Sequence, residues 1–264
     1  MRRNKHAFLG TDGDKGGFPR KGLPPGPVSL VAGGTMSLTE NAKVHATVLD
    51  TSLQAGAIDM AAGAAVSVDV GKLTVQSDST LTMADGATMT VQQGTIDITT
   101  VGDAIVTGIF TGNPTESAIS ITSTEGHILA GHTLGSGHID IQADTGPAAK
   151  LTMWAALGIG DEPLNLKLLN LEATSGGKAD LAVDGSVNID SITAVERVLL
   201  SATGDITGGS VSASDGYVSI TGGTGAYRGI KAFPMQFFAK HSKLGRHEGI
   251  AFSGTASSTS RRRT

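Results

Sequence analysis

The chain has no cysteine among its 264 residues, which excludes a disulfide framework and thiol chemistry. Aromatic residues make up only 4% of it, and between Val28 and Gly216 the only ones are Phe110 and Trp154. A globular core of that length ordinarily uses several large rings. The scarcity points to a narrow interior lined by Ile, Val, Leu, Ala and Met. No apolar run reaches the ~20 residues that a membrane-spanning helix needs. The opening MRRNKHAFLGTDGDKGG has a basic start but no apolar stretch behind it, so no secretory signal is read there and an export signal would lie outside these residues.

Positive charge is scarce in the middle of the chain. Residues 23–226 carry 6 bases against 21 acids, a net of −15, whereas the two ends together carry 14 bases and three acids. Such an acidic body repels nucleic acid and anionic lipid. The basic ends, including Arg261-Arg262-Arg263, read as solvated tails.

Glycine is abundant, at 37 residues, about twice its ordinary ~7% share. Residues 1–27 are basic, Gly/Pro-rich and aperiodic, and read as a disordered or linker segment. From Val28 to about residue 225 the texture is one of short alternating runs. A corner followed by two aliphatics with one polar residue between them recurs at Gly94-Thr95-Ile96-Asp97-Ile98, Gly137-His138-Ile139-Asp140-Ile141, Gly185-Ser186-Val187-Asn188-Ile189 and Gly216-Tyr217-Val218-Ser219-Ile220. Glycine turns the corner without a Cβ penalty. The period of two sends both aliphatics to one side and the polar residue to the other. Val66, Val68 and Val70, then Leu73 and Val75, Leu81 and Met83, and Met89 and Val91 follow the same rule, and Leu164, Leu166 and Leu168 fit a strand.

Strands this short have to be stacked. A β-solenoid, each strand pairing with its counterpart one coil later, accounts for the frequent corners and the aliphatic interior, with a β-sandwich or jelly roll as the alternative. Coils of roughly 20–25 residues would number about eight to ten over residues 28–225. Residues 226–264, aromatic and basic again, would cap the last coil or form a basic tail.

Segments such as Ser201-Ala202-Thr203-Gly204-Asp205-Ile206-Thr207 and Asp184-Gly185-Ser186-Val187-Asn188-Ile189 resemble the repeats of filamentous-haemagglutinin-like exoproteins and autotransporter passengers of bacteria. The resemblance covers roughly residues 50–225. It implies a right-handed parallel β-helix that serves as an extended, extracellular or cell-surface stalk, with a host-cell or surface glycan or protein receptor and continuation into a larger polypeptide. The Asn-Pro-Asn-Gly signature of the two-partner members is missing, since Asn113-Pro114 is followed by Thr115-Glu116, and no functional residue carries over.

The charged residues give no site. Asp97, Asp140, Asp190 and Asp205 read as single outward or turn residues, and Asp161-Glu162 as a solvated loop pair before Pro163. His127, His132 and His138 each follow a glycine, but spacings of five and six across turns do not converge on a metal, so they read as exposed strand and turn histidines. Asp12-Gly13-Asp14 opens like a Ca²⁺ loop, but Gly16 and Leu23 stand where its later ligands belong. Thr80, Thr82, Thr88 and Thr90 read as solvent-facing strand residues, and Trp154 and Tyr217 as packing or turn cover. The expectation is therefore a non-enzymatic structural or adhesive segment with no catalytic, cofactor-binding or metal-binding residue. A carbohydrate-active β-helix enzyme, a lyase or glycoside hydrolase, is the alternative, and would bring several charged groups into one groove. A third reading is a folded 28–225 body with ends that do not fold.

Overall fold

A computed structural model describes residues 27–132 and 137–222, together with the backbone of strands Tyr227–Arg228, Lys231–Phe233 and Met235–Phe237. The 1–26 stretch, with the Asp12-Gly13-Asp14 motif, and most of the basic C-terminal segment lie outside the described residues. Among the described residues every regular element is a strand, and all strand pairs are parallel. No helix among them is long and apolar enough to cross a membrane.

The chain winds into a β-solenoid of about nine turns. At strand spacings of ~4.8 Å the stack is on the order of 40 Å long. Its register is carried by the aliphatic pairs. On one face Leu30, Leu53, Val75, Ile98, Ile121, Met153, Ala173, Ile192 and Val211 pair in succession. A second column runs Met36, Ile58, Leu81, Ala104, Ile128, Ile159, Ala179, Val198 and Val218. A third runs Val44, Val66, Met89, Ile109, Ile141 and Leu166. From Leu53 and Ile58 onward these side chains are almost wholly shielded from solvent. Each buried Leu, Ile or Met contributes ~1.5–3 kcal/mol by leaving water, which offsets the ordering of a chain with so many glycines.

The coil changes cross-section along the rod. Partners in the first column are 22 or 23 residues apart from Leu30 to Ile121, 32 apart between Ile121 and Met153, and 19 or 20 apart from there to Val211. Strand Gly158–Leu168 makes the change. Its start pairs with His127 and Ile128, and its end with Ile141–Ala143. On its other side the single short strand Ala179–Val183 takes both, Ile159 pairing with Ala179 and Leu164 with Leu181, so that Gly160–Pro163 bulges out. Three faces become two, and Leu164, Leu166 and Leu168 are all buried strand residues.

One corner is built from hydroxyls. Ser77, Thr100, Ser123 and Ser175 occupy successive or near-successive inward positions, all buried. Their side-chain oxygens donate to the carbonyls of Thr80 (2.8 Å), Gly102 (2.7 and 2.8 Å) and Lys178 (2.6 Å). Each satisfies a turn carbonyl where the chain leaves the ladder, a group that would be costly to bury unpaired.

The repeated glycine corners serve two purposes. Gly185 has φ +113 with open space where a Cβ would stand. At Gly216 a Cβ would lie 1.5 Å from the Glu196 carbonyl oxygen, so that glycine is required by the closeness of the coil beneath. Strands Lys231–Phe233 and Met235–Phe237 extend the ladders past Ser210–Ser212 and Val218–Ile220.

Candidate functional site

The long coil between Ile121 and Met153 carries the one large departure from the repeat. Strand His127–Ala130 ends there, and the next strand begins only at Ile141. The expected Ile139-x-Ile141 pair is not formed there. Ile141 is fully buried, but Ile139 is only half-buried and lies outside the strand, and Asp140, on the opposite side of the backbone from Ile141, is buried as well. The period-two reading fails because the chain enters this strand from an excursion and not from a tight corner.

Asp140 is therefore not a solvated residue, and His132 is not an exposed one. Their side chains are 0% and 3% exposed, and His132 Nδ1 lies 2.7 Å from Asp140 Oδ1. The backbone N–H of Asn165 donates to Asp140 Oδ2 at 2.9 Å. The Asn165 side-chain amide donates to the His138 carbonyl at 3.0 Å and lies 3.2 Å from His132 Nε2. Burial pushes the Asp140 carboxyl up from the ordinary aspartate range, and the Asn165 N–H and His132 draw it back. A buried polar network with its partners satisfied fixes one arrangement; here it clamps both ends of the excursion to the Asn165 strand.

Beside the clamp lies a cavity of about 320 Å³ lined by Gly137, His138 and Ile139 from the excursion, by Asn165, and by residues 182–184 and 201–203 of the next two coils. Its floor follows the outward positions Asn165, Ala182 and Ser201, which pair across adjacent strands. Ala182 and Ser201 are short, and this leaves the hollow. On its rim Asp184 and Thr203 meet through their side chains at 3.3 Å, and Thr203 Oγ1 accepts the Gly185 N–H at 2.6 Å. Asp184, Ser201 and Thr203 are solvent-exposed, so the hollow is an open groove.

The other charged groups are spread along the rod. Lys72 pairs with Asp97, Lys150 with Glu172 and Asp190 at 3.1 and 3.4 Å, Lys167 with Asp144 at 3.5 Å and Lys178 with Asp161 at 3.1 Å. The bond to Glu172 raises the Lys150 ammonium. The Gly160–Pro163 bulge brings Asp161 and Glu162 near Asp180, whose carboxyl is pushed up by burial and by Glu162, against the pull of Lys178 and Arg197. None of these groups lines the groove. Among the described residues no group of three or more His, Asp or Glu converges as a metal site.

His127 lies on the surface, 3.1 Å from Asp103. Trp154 stands in an outward column between Thr122 and Thr174, 40% exposed, and Tyr217 pairs with Arg197 and is 37% exposed. Asn113 makes a local turn, its side-chain oxygen accepting the Thr115 N–H at 2.9 Å.

The sequence offered no sign of the groove. Its lining residues are ordinary strand and corner types, and only the eight-residue separation of His132 and Asp140, closed by a strand 25 residues further on, brings them together. Comparison of the chain with protein-family models, with curated proteins and with solved structures finds no match.

Proposed function

We propose that this chain is a non-enzymatic structural and adhesive element, a stiff β-solenoid segment of a secreted or cell-surface exoprotein that presents binding surface at a distance from its point of attachment. The observation that carries this reading is the unbroken in-register stack from Leu30 to Val211. Each coil is locked to the next by ladder hydrogen bonds and a dry aliphatic column, which resists bending. The charges support it too: four of the five lysines between residues 23 and 226 sit in separate ion pairs along the rod. In repeat folds of this kind function resides in the surface and in departures from the repeat, and the excursion after Ala130 is the departure present here.

The test is adhesion of the purified full chain, coupled to beads, to cell surfaces and immobilised extracellular polysaccharide. Retention above that of beads carrying an unrelated acidic protein is expected, and no retention on any surface overturns the reading.

One observation favours the carbohydrate-active alternative: the half-buried Asp180, with a raised carboxyl, has Glu162, Lys178 and Arg197 close enough to act on it. Release of reducing ends, or of unsaturated uronate absorbing in the ultraviolet, from a polysaccharide panel would establish that reading, provided Asp180→Asn abolishes it.

A further inference from the structure

We infer that the groove beside the excursion is a binding site for a neutral saccharide, one or two sugar rings of a longer glycan. The inference rests on the adhesive reading above and assigns that reading a location and a ligand class. Two independent features support it.

The first is pre-organisation. The excursion is held by the fully enclosed His132–Asp140 pair and by Asn165, which bonds the His138 carbonyl at 3.0 Å and itself faces the groove. An enclosed ionisable pair is an expensive way to close a loop, since desolvation offsets much of the attraction and an apolar replacement is often as stable. What it does provide is a fixed position for Gly137, His138 and Ile139, the residues of this segment that line the groove, and a preorganised lining lowers the ordering cost of binding. The hollow exists because Ala182 and Ser201 are short where that segment passes over them.

The second is the chemistry of the lining. Asp184 accepts, Ser201 carries a hydroxyl that can donate and accept, and Asn165, whose amide N–H groups are turned to the His138 carbonyl and His132, keeps an oxygen that accepts. Sugar hydroxyls have the same dual character and need such short, mixed partners. Ile139, Ala182 and the edges of Val183 and Ala202 supply an apolar strip for the C–H face of a ring. The volume of about 320 Å³ stands at the lower end of the range for small-ligand sites. Among the described residues no Lys or Arg lines the groove, and Asp184 together with the acidic body, −15 over residues 23–226, repels anionic sugars. Among the described residues no aromatic side chain lines the groove, so a single unit is expected to bind weakly, and repetition along a glycan or between copies would raise the avidity.

Saturation-transfer NMR on the full chain tests this directly. The probes are galactose, glucose, mannose, N-acetylglucosamine, lactose, maltose and chitobiose, with galacturonate and choline as anionic and cationic controls. Transfer to at least one neutral sugar is expected. It should fall at least tenfold in Ala182→Leu and in the separate variant Ser201→Leu, both of which fill the groove from outward positions, and thermal unfolding shows whether each variant remains folded. Transfer to no neutral sugar overturns the inference. So does transfer undiminished in either folded variant, or transfer confined to choline or galacturonate. Bead adhesion that survives groove filling also overturns it while leaving the adhesive reading intact, whereas wild-type beads that fail to adhere overturn the adhesive reading whatever the sugars do.

Discussion

The imidazole of His132 and the carboxylate of Asp140 meet at 2.7 Å in a site closed to solvent. Seven residues of chain lie between them, and this pair ties the end of strand His127–Ala130 to the start of strand Ile141–Ala143. Removing one partner leaves the other buried without its counterpart. Asp140→Ala is expected to cost ~1–3 kcal/mol for that reason, and His132→Ala a similar amount. Because the two act on the same contact, the double variant should cost clearly less than the sum. Urea unfolding of the four proteins measures this, and strict additivity would show that the pair is not coupled.

Asp180 behaves in the opposite sense. Burial raises its carboxyl above the usual aspartate range, so the folded protein holds that proton more tightly than the unfolded chain does. The stabilisation from protonation is complete below the ordinary aspartate value of ~3.9 and is lost as pH rises through the raised folded value. Asp180→Asn, which cannot ionise, should therefore unfold at a higher temperature than the parent at neutral pH, with the gap closing as pH falls below ~4. A lower Tm at neutral pH would mean that Lys178 and Arg197 more than offset the cost of burial.

Two corners that look alike in sequence, Asp184-Gly185 and Asp215-Gly216, should respond differently to alanine. Gly185→Ala meets only the strain of φ +113, with nothing near its Cβ, a cost of about 1–3 kcal/mol. Gly216→Ala drives a methyl to 1.5 Å from the Glu196 carbonyl oxygen, and the stacked coils must part. It is expected to be the more damaging by at least ~2 kcal/mol in denaturant unfolding. Equal costs would contradict the close coil spacing at Gly216.

Much of the rod could be read from the residues because its rule is local. Ile96 and Ile98, Val187 and Ile189, and Val218 and Ile220 each follow a corner and each pair is buried, as period two requires. The corner hydroxyls of Ser77, Thr100, Ser123 and Ser175 could not be read, since serine and threonine are equally at home on a solvent-facing strand. Nor could the loss of a face at Gly158–Leu168, which depends on how two partners share one strand. The excursion after Ala130 was misread for a related reason. Ile139 and Ile141 satisfy the local rule, but the clamp that buries Asp140 joins His132, Asp140 and Asn165 through space, and no spacing in the chain announces it.

The register of the stack is tested most directly by cross-linking, which the absence of native cysteine makes clean. Thr99 and Thr122 are outward partners in adjacent coils, ~4.8 Å apart at the backbone and within reach of a disulfide. Gln76 and Thr122 share the same column two coils apart, ~9.6 Å and out of reach. Under mild oxidation the chain carrying Thr99→Cys with Thr122→Cys should form an intramolecular disulfide nearly quantitatively, and the chain carrying Gln76→Cys with Thr122→Cys should remain reduced. No cross-link in the first, or equal cross-linking in both, would contradict the in-register solenoid.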